Sequence, residues 1–492
     1  MAKLKVLFAT SEVAPLIKTG GLADVSGALP AALRAIGLDV RVLVPGYSQV
    51  ISKLAEHEVV ATFDGILSGF PSSRLLSSKM PNGVPVLVLD CPSFYQREGG
   101  PYQDPSGHDW VDNALRFGLL SKAAALLGSG ASPLNWHPDL VHCNDWQTGL
   151  TPAYLHFAQQ SAPSVISVHN LAFQGIFPPS TLQQLNLPPS CFSVDGVEFH
   201  GNLSFLKAGL FYAGHITTVS PNYAKEIQLE SAGSGMQGLL TARSIDLTGI
   251  LNGIDMEEWN PASDKYLAKT YNSKDTSGKA ANKQALQRKL GLDLDPDVPL
   301  LGVVSRFTHQ KGLDLLLGIA SVLTGLPVQL AMLGSGDVQM QNMALDLSHR
   351  NPGKIGTVIG FDEELSHQIE AGADMFVMPS RFEPCGLNQM YSQRYGTPPI
   401  VHATGGLVDS VVDCTVATLM RGKASGFVFS GITAENLFEA IRRAVELYKN
   451  KRKWKALCSI CMDKDFSWER SAETYRTVYL QVLAKKKQTA IH

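Results

Sequence analysis

Short runs of apolar residues recur along the chain, and between them apolar positions return every three or four residues. Residues 4–9 form the first run and read as a buried strand. Residues 22–36 follow with helical spacing. The alternation continues with strand candidates at 39–44, 84–89, 138–143, 164–168 and 216–219, and a helical stretch at 109–127. Residues 91–107, rich in Pro, Gly and Tyr, read as a long loop. A break at 249–261 and a polar stretch to residue 291 interrupt the pattern. It then resumes at 299–304, 328–333, 355–359, 375–378, 399–402 and 427–429, and closes on a helical segment at 468–485. Strands alternating with helices predict an α/β chain, doubly wound, with mostly parallel sheets covered on both faces. A chain of 492 residues is too long for one core, so two large domains are expected. Their boundary is placed at 255/256, giving residues 1–255 and 256–467, with 468–492 as a C-terminal segment.

Two glycines separate the first strand from the first helix, in Lys18-Thr19-Gly20-Gly21-Leu22-Ala23-Asp24-Val25. Glycines at a helix start let a backbone approach an anion, where unpaired N–H groups and the helix dipole favour negative charge. Lys18 adds a full positive charge, so a phosphate or diphosphate is the natural guest. A second copy, Thr404-Gly405-Gly406-Leu407-Val408-Asp409, follows the 399–402 run. One such turn in each half predicts two nucleotide-type folds with their loops aimed at one cleft.

Ligands of doubly wound folds bind beyond the C-terminal ends of strands. The polar residues at those ends are Lys18, Asp145, His169, Ser220 and Asn252 in the first half. In the second they are Arg306, Lys311, Glu383 and Thr404. Arg306 and Lys311 flank one turn and can converge on two phosphates, Arg as a fork and Lys as a point charge. Glu383-Pro384-Cys385-Gly386-Leu387 places a carboxylate beside a helix start. Cys385 reads as a small packed residue, since no His stands near it in sequence to activate it.

Composition narrows the picture. Charged residues are 17% of the chain and the net charge is −2, so nucleic acid and anionic membranes are not expected partners. No apolar run is long enough to span a bilayer. The N-terminus runs directly into a strand without a signal-peptide pattern. A cytoplasmic protein is expected, with a plastid the alternative if a transit peptide has been removed. The seven cysteines are odd in number and scattered, so a disulfide framework is not expected. Cys458-x-x-Cys461 has no second pair and lies in a helical stretch. Asp293-x-Asp295 and Asp463-x-Asp465 have the spacing used by metal-dependent transferases. The first falls in a turn-like loop and the second on a predicted surface, so no metal site is assigned.

Taken together, KTGGLADV, HCNDW, HNLAFQG, LNGID, SRFTHQKG, EPCGL and ATGGLVDSV resemble, in order, the ADP-glucose-dependent glycogen and starch synthases, glycosyltransferase family 5. The resemblance runs from about residue 6 to residue 479. It implies the GT-B fold, two Rossmann-like domains facing a central cleft, with the last helix crossing back to the first domain. It implies a retaining glucosyltransferase that elongates an α-1,4-glucan (glycogen, starch or a maltooligosaccharide) from ADP-glucose, without metal or other cofactor. By that resemblance His169, Glu383, Arg306 and Lys311 are catalytic. Lys18, Gly20, Gly21 and Asp24 lie on the donor side, Asp145 on the acceptor side, and Asn252 beside the glucose. Cys385, Gly386 and Leu387 form a substrate-binding segment in which Gly386 and Leu387 offer N–H groups, and Thr404 and Gly405 form part of the diphosphate wall. Phe173 stands where many relatives carry Tyr or His. A nicotinamide dehydrogenase is disfavoured, because no G-x-G-x-x-G follows the first strand.

Overall fold

The apolar runs become the interior strands of two sheets. The structure is a computed structural model that describes residues 3–54, 56–67, 69–158 and 160–489. The chain divides into two units: residues up to Gly253 together with those from Trp468 onward, and residues Ile254–Ser467.

Among the described residues the main sheet of the first unit holds nine strands: β1 (Lys5–Ala9), β2 (Asp39–Pro45), β3 (Glu58–Phe63), β4 (Ser73–Lys79), β5 (Pro85–Asp90), β6 (Leu140–Asn144), β7 (Ser164–Val168), β8 (His215–Thr218) and β9 (Leu247–Gly249). Their order is β9-β8-β7-β6-β1-β2-β5-β4-β3. All neighbours pair parallel except the hairpin partners β3, β4 and β5, which run antiparallel. The central strands are apolar on both faces because helices cover both. Every residue of β6 and β7 is buried. Chain order reverses between β1 and β6, so a crevice opens beyond their C-terminal ends.

The sequence pattern did not predict β3, β4 or β9, nor a small sheet formed by Ile176–Phe177, Glu198–Phe199 and Asn202–Ser204. β3 and β4 close the sheet edge and leave several side chains in solvent, so neither shows a continuous apolar run. Ser220 lies just past β8, where its side chain accepts from the Tyr223 N–H at 3.1 Å and caps helix Pro221–Glu226.

The second unit holds β10 (Leu300–Val304), β11 (Gln329–Gly334), β12 (Ile355–Ile359), β13 (Met375–Met378), β14 (Pro399–His402) and β15 (Phe427–Phe429), all paired in parallel in the order β12-β11-β10-β13-β14-β15. This is the dinucleotide-fold order 3-2-1-4-5-6, and its switch point lies between β10 and β13. Both Asp-x-Asp stretches are loops. Asp295 accepts the N–H groups of Asp297 and Val298, and Asp465 that of Ser467. Cys458 and Cys461 are unpaired and buried in helix Lys451–Met462, and burial pushes the Cys458 thiol up to about 12. Among the described residues no helix is long and apolar enough to cross a membrane.

The C-terminal helix, Trp468–Thr489, packs on helix Gly21–Ala35 and beneath the first sheet. Its Tyr479 hydroxyl lies 2.7 Å from Nδ1 of His142, a fully buried residue of β6. The other ring nitrogen of His142 meets Ser167, which meets Thr217. Burial, with the nearby His169 second, pulls the His142 pKa down to about 3. A depressed folded value contributes stability in full above the unfolded value near 6.5, and that contribution is lost as pH falls toward about 3. Tyr479→Phe orphans a buried ring nitrogen and should cost about 1–3 kcal/mol. Urea unfolding at neutral pH should show the lower midpoint; an unchanged midpoint would mean that the helix does not depend on this bond.

Candidate active site

At the switch point of the second sheet, Arg306 follows β10 and is exposed, and Lys311 closes the turn His309–Lys311. The Lys311 Nζ lies 2.5 Å from Oε2 of Glu383, and the Ser380 hydroxyl donates to the same oxygen at 3.0 Å. Glu383 is only 6% exposed, so this is a paired buried carboxylate. These side chains, with Gly386 and Leu387, line a cavity of about 220 Å³ against the ends of β10 and β13. Asn388 donates from its side chain to the Val304 carbonyl at 2.7 Å, which ties helix Asn388–Arg394 to β10.

Backbone packing makes the cavity possible. Gly312 has φ +67°, and a Cβ there would stand 1.9 Å from the Pro379 carbonyl oxygen. Gly405 has φ +45°, and a Cβ there would stand 2.0 Å from the Glu383 carbonyl oxygen. The Gly406 N–H donates to that same oxygen at 3.0 Å. Thr404, Gly405 and Gly406 therefore form a platform under the Glu383 loop, outside the residues lining the cavity. Cys385 is buried in that loop, a packed position.

In the first unit, the ends of β6 and β7 bring Asn144, Asp145 and His169 together. Asn144 donates from its amide to the Ala9 carbonyl at 3.0 Å, so its side-chain oxygen faces His169 Nε2, 3.0 Å away. Nε2 therefore carries the ring proton, and Nδ1 keeps a lone pair. Burial lowers the His169 pKa to about 4, so the ring is neutral at neutral pH. Asp145 has φ +55° and accepts the His169 backbone N–H at 2.7 Å. Burial pushes its carboxyl up to about 7, against the pull of the His169 and Asn170 N–H groups. Asn252, past the end of β9, is 7% exposed, and its side-chain oxygen has no partner. Phe173 is exposed on the loop after His169.

The first Gly-Gly turn differs from its copy. A Cβ at Gly20 or Gly21 would meet nothing within 4 Å, so the space above both is open. Lys18 is exposed and pairs with Asp24 at 2.7 Å. The Thr19 and Gly20 N–H groups are not idle, however. They donate to Oε2 of Glu12 at 2.5 and 3.3 Å, the Thr19 hydroxyl reaches Oε1 at 2.6 Å, and the Tyr102 hydroxyl donates to Oε1 as well. Glu12 and Tyr102 escaped the sequence reading. The one available signal was a carboxylate, Glu12, three residues past the end of an apolar strand.

A family profile described as the starch synthase catalytic domain matches residues 5–242, and one described as glycosyl transferases group 1 matches residues 283–456. The chain is 55% identical over 489 residues to the glycogen synthase of Nitrosospira multiformis, covering 98% of each. It is 57% identical over 489 residues to the glycogen synthase of Nitrosomonas eutropha, covering 98% of this chain and 97% of that one. The chain belongs to the glycogen and starch synthase family. Among solved structures, this synthase is similar to the catalytic domain of starch synthase IV from Arabidopsis thaliana bound to ADP and acarbose, with a TM-score of 0.87, 32% identity and coverage of 98% and 100% of the two chains. Sucrose-phosphate synthase from Thermosynechococcus elongatus, at 18% identity and a TM-score of 0.58, shares the fold. The two Rossmann-like units of the synthase are those of the GT-B class.

Two expected outcomes follow from the geometry. Lys311→Ala leaves the buried Glu383 carboxylate without its cation and should destabilise the second unit by about 3–5 kcal/mol. Glu383→Ala leaves Lys311, which is 20% exposed and can reach water, so it should cost less stability. Its main effect should be on kcat, by about 100-fold or more from lost positioning. Denaturant unfolding and turnover measured on both variants test this order; equal destabilisation would refute it. The second concerns Asp145. A raised folded pKa contributes stability in full below the unfolded value near 3.9, and that contribution is lost as pH rises through about 7. Asp145→Asn keeps an acceptor for the His169 N–H and tolerates positive φ. The variant should have a higher melting temperature than the parent above pH 7, with turnover reduced at least about tenfold. A lower melting temperature at pH 8 would show that the ionised carboxylate is stabilising.

Proposed function

We propose that the synthase uses ADP-glucose as donor and adds its glucose, with retention, to the non-reducing end of an α-1,4-glucan. The observation that carries this reading is the cavity at the second switch point, lined by Arg306 and by Lys311, which pairs with the buried Glu383 carboxylate. Two cations suit a diphosphate, and a fixed carboxylate suits sugar hydroxyls. The Arabidopsis starch synthase IV catalytic domain was solved with ADP and acarbose, which supports a nucleotide and a glucan-like ligand. On this reading residues 256–467 are the nucleotide-sugar domain, residues 1–255 the acceptor-side domain, and residues 468–492 a helix belonging with the first.

Each residue then has a physical task. Departure of ADP places negative charge on its β-phosphate, and Arg306, Lys311 and Lys18 stabilise that charge as it develops. Gly386 and Leu387 offer backbone N–H groups on the same side. Glu383 orients the glucose hydroxyls. His169 is neutral and, with Asn252, places uncharged polar groups against the transferred sugar. Asp145, on the acceptor side, is raised by burial and already accepts the His169 backbone N–H at 2.7 Å, which makes it a poor carboxylate nucleophile. That favours a front-face, ion-pair-like substitution in which the departing phosphate takes the acceptor's proton. No metal enters this scheme, because the cations of the chain serve the diphosphate. The names of the bacterial relatives support glycogen as product, and a cytoplasmic location goes with that reading.

A turnover assay with ADP-glucose and glycogen tests the activity directly. Lys18→Ala should lower kcat/KM for ADP-glucose by roughly 10- to 150-fold, the equivalent of about 1.5–3 kcal/mol for a charge-assisted contact. The KM for glycogen should hardly move; an unchanged donor kcat/KM would remove Lys18 from the site. Turnover should also survive EDTA at the assay temperature, and a loss restored by Mg²⁺ or Mn²⁺ would overturn the metal-free scheme.

A further inference from the structure

We infer that the second unit carries a zinc-type divalent cation site, formed by Glu258, Glu363 and His367 and separate from the donor cavity. Glu363 and His367 stand four residues apart on helix Glu363–Gly372, so they share one face. Glu258 comes from the turn after Ile254. One ligand atom from each lies within 4.8 Å of the other two. Acidic residues on a surface commonly gather without an ion, and the histidine makes this group different. His367 is 1% exposed, and its Nε2 has no hydrogen-bond partner.

The surroundings of His367 orient its ring. Nδ1 lies 2.8 Å from Oδ2 of Asp264, and the Tyr395 hydroxyl donates to that same oxygen at 2.5 Å. A carboxylate can only accept, so Nδ1 donates to Asp264, and the unpartnered Nε2 is the ring nitrogen left to bind an ion. Trp259 stacks on the imidazole at 4.0 Å and 8°, and Tyr391 stacks on Trp259 at 3.7 Å and 9°. The ring is thus held in plane by stacking and in tautomer by a carboxylate, the arrangement that orients metal-binding histidines.

The donor set selects the ion. One imidazole nitrogen with two carboxylate oxygens suits Zn²⁺, whereas Mg²⁺ and Ca²⁺ prefer oxygen alone. Three protein ligands leave a fourth tetrahedral position for water. Bonds of about 2.0–2.1 Å place tetrahedral ligand atoms about 3.3 Å apart. The exposed glutamate side chains can close that gap by changing rotamer, while the buried ring stays in place. The bound ion would join the 254–264 segment to helix Glu363–Gly372 within one unit. Its effect is on stability and not on transfer chemistry, since none of these residues lines the cavity of Arg306, Lys311 and Glu383. An ion that binds only the folded chain raises its melting temperature.

The test uses the full chain, stripped with EDTA and dialysed. Titration with Zn²⁺ should show one saturable equivalent and a higher melting temperature. Glu258→Gln and Glu363→Gln should each weaken binding by roughly tenfold or more and abolish the Zn²⁺-dependent rise, with metal-free melting temperatures unchanged. Co²⁺ should give visible d–d bands without a thiolate charge-transfer band, which separates this site from the cysteines. Turnover of both variants should match the parent within about twofold. No saturable binding, binding that both variants retain, or a thiolate band would overturn the inference.

Discussion

The pairing of Lys311 with Glu383 is the interaction on which the second unit's site depends. Glu383 is nearly buried, and a buried carboxylate persists only with a cation and hydrogen bonds in place. Bringing the two together requires three stretches of backbone to pass unusually close. Gly312 clears the Pro379 carbonyl, Gly386 turns with φ +70° against Gln389, and Gly405 clears the Glu383 carbonyl. A Cβ at any of these would move the ion pair before it touched a ligand. The words QKG, PCGL and TGGL, scattered over almost a hundred residues, are one packing solution.

At the ends of β6 and β7 the first unit pairs its buried polar groups without charge, whereas elsewhere it buries Glu12, Arg116 and the Asp90 partner of Arg74. Its central strands carry polar residues inward, and each finds a neutral partner: His142 with Ser167 and Tyr479, Ser167 with Thr217, His169 with Asn144. Burial lowers both histidines and raises Asp145, so all three drift toward neutrality. The groups at the ends of β6 and β7 thus differ in charge from the Lys311–Glu383 pair of the second unit.

How much of this could be read from residues alone depends on whether a feature is local. Strands with four or more consecutive apolar residues were legible, because burial on both faces writes itself into the sequence. Strands Glu58–Phe63 and Ser73–Lys79 were not, since an edge hairpin mixes apolar and solvent-facing positions. Arg306, Lys311 and Glu383 were legible as polar residues just past apolar runs. Glu12 was not, because its meaning comes from Tyr102, 90 residues away, and from a turn it shares with no motif. The unit containing the C-terminal helix was visible only through family resemblance, as no local pattern says which sheet a terminal helix will cover.

The two copies of Thr-Gly-Gly-Leu show most plainly where reading by motif stops. Both follow a parallel strand and both start a helix, so local rules assign them one task. In the first copy the glycines face open space, and the Glu12 carboxylate already occupies the N–H groups of Thr19 and Gly20. An anion arriving there would meet Lys18 and the later helix N–H groups, not the turn's first two donors. In the second copy the glycines are covered, because the Glu383 loop lies directly on them. The same four letters thus keep space clear in one unit and fill it in the other. The difference is fixed by what packs above each turn: a carboxylate below an open surface in one case, a carbonyl oxygen about two ångströms from where a Cβ would be in the other.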